Sequence, residues 1–163
     1  MMTKSICQAI LTMVLVLATA LSPSVATESA DSAVGSQLPP RVRGLLVQEM
    51  SAVLDATKSI LDAMVRGQDD GVATNAQAIH DSFIMEQSMT AADRQALLDT
   101  VPQAFLERDQ AFHGISARLA QAARDGDKQG QMMLFKELIN ACTDCHSRYA
   151  SDRFPDFGIP AGG

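Results

Sequence analysis

The residues with the most chemistry to offer are Cys142, Cys145 and His146, set in the pentapeptide Cys142-Thr143-Asp144-Cys145-His146 near the C-terminal end. On a helix, spacings of three and four put all three side chains on one face. A C-x-x-C-H stretch is the attachment signature of c-type haem. The two thiols add across the haem vinyl groups, and the adjacent imidazole becomes an axial iron ligand. Tethering of this kind holds a large cofactor permanently in a small protein.

Two alternatives stand beside haem c, a redox dithiol and an inert disulfide. A redox dithiol also uses C-x-x-C, but there the motif opens a helix in a βαβ context, where the thiolate is stabilised. Here it comes late in a helical pattern, with no strand-like run before it. A zinc site needs four N or S ligands. After loss of an export signal the chain offers two Cys, and three His in all.

Other candidate ligands are weaker. Met50 could reach iron as a soft distal ligand, although methionine is also the commonest filler of apolar gaps. Met64, Met85, Met89, Met132 and Met133 read as core or rim. For His80 and His113 the ordinary reading is a surface or hydrogen-bonded histidine, with iron ligation as the sharper alternative. Arg41 and Arg43 have the donors to pair with haem propionates. Otherwise they are solvated charges that oppose the dipole of the helix they start. No Ser-His-Asp arrangement or phosphate loop is present, so the chain is not expected to be a conventional enzyme.

Composition sets the compartment. Lys4, the apolar run from Ile6 to Leu21 and then Ser24-Val25-Ala26 predict a secretory signal peptide over residues 1–26. An uncleaved membrane anchor is the alternative, for which the run is short. Cleavage leaves 137 of the 163 residues and removes Cys7, so both remaining cysteines lie in the motif. Export and covalent haem agree, because c-type haem is joined outside the cytoplasm, and the expected location is the bacterial periplasm. Losing Lys4 leaves 12 basic against 19 acidic residues, a net charge of −7. Such a surface argues against nucleic acid and anionic membranes and favours redox partners with basic patches.

The elements that must position the motif read as all-α. No Trp, one Tyr and many Ala, Leu and Met suit helices better than strands. Residues 27–37 are small and polar and read as a disordered lead. The bundle is expected over 38–154 and an irregular Pro/Gly-rich tail over 155–163. The first long helix is expected over about 40 to 66, opened by Pro39-Pro40 and closed by Gly67, with Leu46, Met50, Val53, Leu54, Thr57, Ile60, Leu61 and Met64 as its apolar stripe. A second runs from about 70 to 87. A short helix follows the cap Thr90-Ala91-Ala92-Asp93. A third long helix covers about 102 to 124, and after the turn Asp125-Gly126-Asp127 a fourth covers about 128 to 150. Met132, Phe135, Leu138, Ile139, Cys142, Cys145 or His146, and Tyr149 line the inner stripe of that last helix. Four long helices with short connections predict an antiparallel up-down-up-down four-helix bundle. Without its haem, such a bundle is expected to show a cavity or a loosely filled face beside Cys142 and His146.

A secreted four-helix chain with C-x-x-C-H on its last helix resembles the cytochrome c prime family, over residues 38 to 150. Cys142, Cys145 and His146 match the family's haem-binding motif, Arg43 and Met50 match an Arg followed seven positions later by Met on the first helix, and Arg148-Tyr149 resembles the basic and aromatic residues after the motif. The resemblance implies covalent haem on Cys142 and Cys145, with His146 as proximal ligand. It also implies that a first-helix residue covers the open haem face. An apolar lid, here Leu46 or Val47, would leave iron five-coordinate and selective for nitric oxide or carbon monoxide. Met50 over the iron would make a six-coordinate electron carrier. The implied function is single-electron transfer by one haem c, with gas binding as the alternative and thiol–disulfide exchange as a third. Related bundles often pair through their first two helices, so a homodimer stays open.

Overall fold

The computed structural model describes residues 33–157. The expected signal peptide, 1–26, and the end of the tail, 158–163, lie outside the described residues. Those residues form seven α-helices and one 3-10 turn, with no strand among them: α1 (Val34–Gln37), α2 (Pro40–Arg66), α3 (Asp69–Asp81), α4 (Met85–Ser88), α5 (Ala91–Thr100), α6 (Gln103–Arg124) and α7 (Lys128–Tyr149), then Pro155–Phe157. The described residues are all-α. No helix among the described residues is long and apolar enough to cross a membrane.

Local chemistry explains most boundaries. Pro40 sits in the first turn of α2, where its missing N–H costs nothing. Gly67 ends that helix in the left-handed region at φ 71°, and its N–H reaches the carbonyls of Ala63 and Met64. Thr90 and Asp93 form a reciprocal capping box at the start of α5. Asp127 caps α7 by accepting from the Gly130 N–H at 2.9 Å.

Two differences from the expected elements have visible causes. The lead is not without order up to residue 37. Val34–Gln37 form α1, and Val34 and Leu38 are buried in an apolar cluster with Val42, Val101 and Tyr149. The second long helix is interrupted, because Ser82 adopts φ 60° and separates α3 from α4. A non-glycine residue is uncommon there. The turn aims three successive backbone N–H groups, of Phe83, Ile84 and Met85, at the Glu49 carboxylate of α2, at 3.0, 2.5 and 3.0 Å. Glu49 is 2% exposed, so this carboxylate is buried and satisfied by backbone donors.

The packing runs α2 on α3, α3 on α6, and α6 on α7. The main core joins Val53, Ala56, Ile60, Val72, Ala76, Ile79, Ile115, Leu119 and Leu138. The α2 stripe holds in part: Val53, Thr57 and Ile60 are buried as expected, and Val42, Leu45, Glu49, Ala56 and Ala63 are buried with them. Leu54 and Leu61, expected inside, are 55% and 51% exposed. The physical reason is close approach. Ala63 lies where a Cβ on Gly71 would come within 3.0 Å, and α3 meets this face with Ala73 and Ala76. A crossing through small residues lets the backbones approach and leaves the larger side chains outside. On α7 the same correction applies to Met132, 64% exposed, and Ile139, 39% exposed, while Gln131 and Leu138 point inward.

Candidate functional site

The C-terminal half of α7 carries the motif. Cys142 and Cys145 are free thiols, each half-buried, and His146 follows in the last turn of the helix. Tyr149, one turn beyond Cys145, is buried and meets Phe105 of α6 edge-on at 5.3 Å. Cys145 packs against the second apolar cluster, whose partly buried members Leu46, Ala96, Leu97, Phe105 and Leu106 come from α2, α5 and α6. The face beside Cys145 is therefore apolar but incompletely covered. Cys142 lies one turn earlier and is half-buried.

Charged residues fix this end of α7 from outside. Asp144, inside the motif, accepts from Arg148 Nε at 2.9 Å and from Arg108 Nε at 3.1 Å. Arg108 also lies 5.9 Å from the centre of the Tyr149 ring. The Arg148 and Arg108 contacts hold the Asp144 carboxyl below the usual carboxylate range.

The thiols and the imidazole are tuned in opposite senses. Burial pushes the Cys142 thiol up, and burial followed by the Asp109 and Asp144 carboxylates pushes Cys145 to about 11. Burial pulls the His146 imidazole down, so it is neutral near pH 7. Neither ring nitrogen of His146 has a hydrogen-bond partner among the described residues. Its ring lies against Phe154 of the tail, with centroids 4.6 Å apart and 21° between planes.

Of the other residues singled out from the sequence, Met50 is not brought to this cluster. It lies on the outer side of α2 with 36% of its surface exposed, as does Val47. Leu46 and Val42 of α2 belong with Cys145 to the second apolar cluster, Val42 in its core and Leu46 and Cys145 at its edge. Arg43 donates from Nε to the Gly35 carbonyl and so ties α1 to α2. Arg41 pairs with Asp93 at 3.1 Å and donates to the Ser88 carbonyl at 3.1 Å. His113 Nδ1 donates to the Ile79 carbonyl at 2.8 Å and His80 Nδ1 to the His113 carbonyl at 3.1 Å, both bridging α3 and α6. Met64 packs against the main core, whereas Met132 and Met133 are exposed.

Four residues of the site are not marked by the sequence as belonging to it. Arg108 and Asp109 look like ordinary polar positions on a long helix. Phe105 reads as core without naming its Tyr149 partner, and Phe154 sits among prolines. The spacing Phe105, Leu106, Asp109 could have shown that Asp109 continues the face that meets Cys145.

The residues that could hold a covalently tethered cofactor are Cys142, Cys145 and His146. Two free thiols, a neutral imidazole and a partly covered apolar face meet on one side of a helix. No cluster of three or more His, Cys, Asp or Glu suited to a bare metal ion exists among the described residues. Comparison with protein-family models, with curated proteins and with solved structures finds no match.

Proposed function

We propose that this chain is an exported monohaem c-type cytochrome that passes single electrons in the periplasm. One observation carries the reading: the free Cys142 and Cys145 thiols and the neutral His146 imidazole share one face of α7, against the incompletely covered cluster around Leu46, Leu97 and Phe105. Bound there, haem supplies a one-electron iron couple. Cys142 and Cys145 would tether it and His146 would hold its iron, with Leu46, Leu97, Phe105 and Leu106 as the apolar side chains that would keep water from the site. Asp144, held by Arg108 and Arg148, keeps the motif turn rigid.

The up-down-up-down bundle belongs to this proposal. It is supported at both ends of α2. The first turns of α2 share a cluster with Tyr149 at the end of α7, and the carbonyl of Gly67, just past the last turn of α2, accepts from Lys128 at the start of α7, at 3.3 Å. The resemblance to the cytochrome c prime family, carried by the motif on the last long helix, supports the same arrangement.

A second reading is favoured by Leu46. An apolar residue, Leu46, and not the exposed Met50, joins the cluster that Cys145 packs against, and an apolar lid suits five-coordinate iron that binds nitric oxide or carbon monoxide. Thiol–disulfide exchange has the least support. Exchange needs a thiolate, and burial holds both thiols up, Cys145 at about 11.

The test begins with the mass of exported protein made with haem-attachment machinery. One added haem, lost in Cys142→Ala/Cys145→Ala, is the expected result, and unmodified thiols would sink the cytochrome reading. The optical spectrum then separates the first two functions, with sharp low-spin bands for six ligands and a high-spin spectrum that responds to carbon monoxide for five. Met50→Ala is expected to leave the spectrum unchanged, because Met50 faces outward. A change from low to high spin would make Met50 the sixth ligand.

A further inference from the structure

The chain past α7 does something the motif alone does not require. The N–H groups of Arg153 and Phe154 both donate to the Ala150 carbonyl, each at 3.0 Å, and Phe157 N–H donates to the Phe154 carbonyl at 3.1 Å. These bonds turn the tail back over the last turn of α7. Phe154 then stacks on His146 at 4.6 Å and 21°. Phe157 closes the group, 6.2 Å from Phe154 at 64° and 6.4 Å from His146 at 45°.

We infer that Phe154 is a positioning residue for iron ligation, its ring setting the plane of the His146 imidazole and covering one face of it. The inference rests on the haem reading above. The geometry allows both roles together, because iron takes the lone pair in the imidazole plane while Phe154 takes the π face. The need for such a group follows from the hydrogen bonds. A ligating histidine ordinarily donates its second ring N–H to a carboxylate or carbonyl, which fixes its rotation and raises its basicity. Here neither nitrogen has such a partner among the described residues, and the nearest carboxylate in sequence, Asp144, is committed to Arg108 and Arg148. Rotation about the His146 ring bond is thus limited by stacking. With no carboxylate acceptor among the described residues, the imidazole would also be a weaker donor to iron, which would favour the reduced state.

The test uses haem-loaded protein carrying Phe154→Ala, Phe154→Leu or Phe154→Tyr. Far-ultraviolet circular dichroism and the mass of bound haem check folding and loading. The Ala and Leu variants are expected to shift the rhombicity of the ferric EPR spectrum and the reduction midpoint, and Phe154→Tyr to keep both. Leucine keeps apolar bulk without a flat ring, so a wild-type Leu variant would overturn stacking as the cause. Unchanged EPR and midpoint in Phe154→Ala would overturn the positioning role altogether. Independently of haem, His146 ring protons in the apoprotein are expected to show an upfield ring-current shift that Phe154→Ala removes. Absence of that shift in the parent protein would overturn the stack itself, whereas absence of haem mass would overturn only the function proposed above.

Discussion

Glu49 and the acidic caps are the residues on which stability turns most sharply. The Glu49 carboxylate is buried and accepts from three backbone N–H groups, so Glu49→Ala strands three donors at once. The expected loss is about 3 kcal/mol, read as a lowered midpoint in urea, and Glu49→Gln should lose less because one acceptor oxygen remains. Nothing in the sequence around Glu49 announces this role. A carboxylate on a helix reads as a solvated charge, and its partners are backbone amides, which have no residue signature. Acid acts on the carboxyls that the fold holds away from their ordinary value. Asp93 is held below the ordinary 3.8 first by the Thr90 backbone and hydroxyl, and Asp144 by Arg148 and Arg108. Groups held low contribute stability above their ordinary value and lose it as pH falls through the folded one. Asp109 is held high by burial first and by the Glu49 and Glu86 carboxylates, against the pull of His113. Its contribution has the opposite sign, present at low pH and lost as pH rises through its folded value. With Asp69 also held low by Lys128 and Gln131, the lowered set is the larger. Thermal stability is therefore expected to decline below about pH 4, with a smaller decline in Asp93→Asn.

Among the elements, those with capping chemistry were legible and those set by packing were not. Pro40 and Gly67 bound α2, and Thr90 and Asp93 open α5, as their types predict. The break at Ser82 was not legible, because a serine within a helical period does not signal φ 60°, and the Glu49 carboxylate that meets the turn is distant in sequence. Leu54 and Leu61 lie outside the inner stripe of α2 although they are large and apolar, because Ala56, Ala63 and Gly71 decide how closely the helices approach. The start of α7 offers a sharp test of the local logic. A Cβ on Gly130 would meet Asp127 Oδ2 at 2.3 Å and Cγ at 2.8 Å. Gly130→Ala must therefore push away the carboxylate that caps the helix, with an expected net loss of about 1 kcal/mol although alanine is the better helix former. A gain in chemical-denaturation midpoint would show that the cap can re-form around the methyl group.

For the whole molecule, the all-α class and the placing of the motif late in the last long helix were readable from periodicity and spacing. The shape of the face that would receive haem was not, since it is assembled from α2, α5 and α6, and only their mutual packing brings Leu46, Leu97 and Phe105 beside Cys145. The order of that packing has a consequence for how the chain reaches its native state. α2 meets α3 and α6 meets α7, each its neighbour along the chain, while α3 and α6 are separated only by the segment holding α4 and α5. Most of the helix packing joins segments near one another along the chain, so its loop closure takes little entropy, while the cluster of Val42 and Tyr149 joins the two ends of the described residues. Refolding of the haem-free chain from denaturant is expected within milliseconds, most of it inside the dead time of stopped-flow mixing. A dominant phase of seconds would mean that the search is governed by something other than this nearest-neighbour assembly.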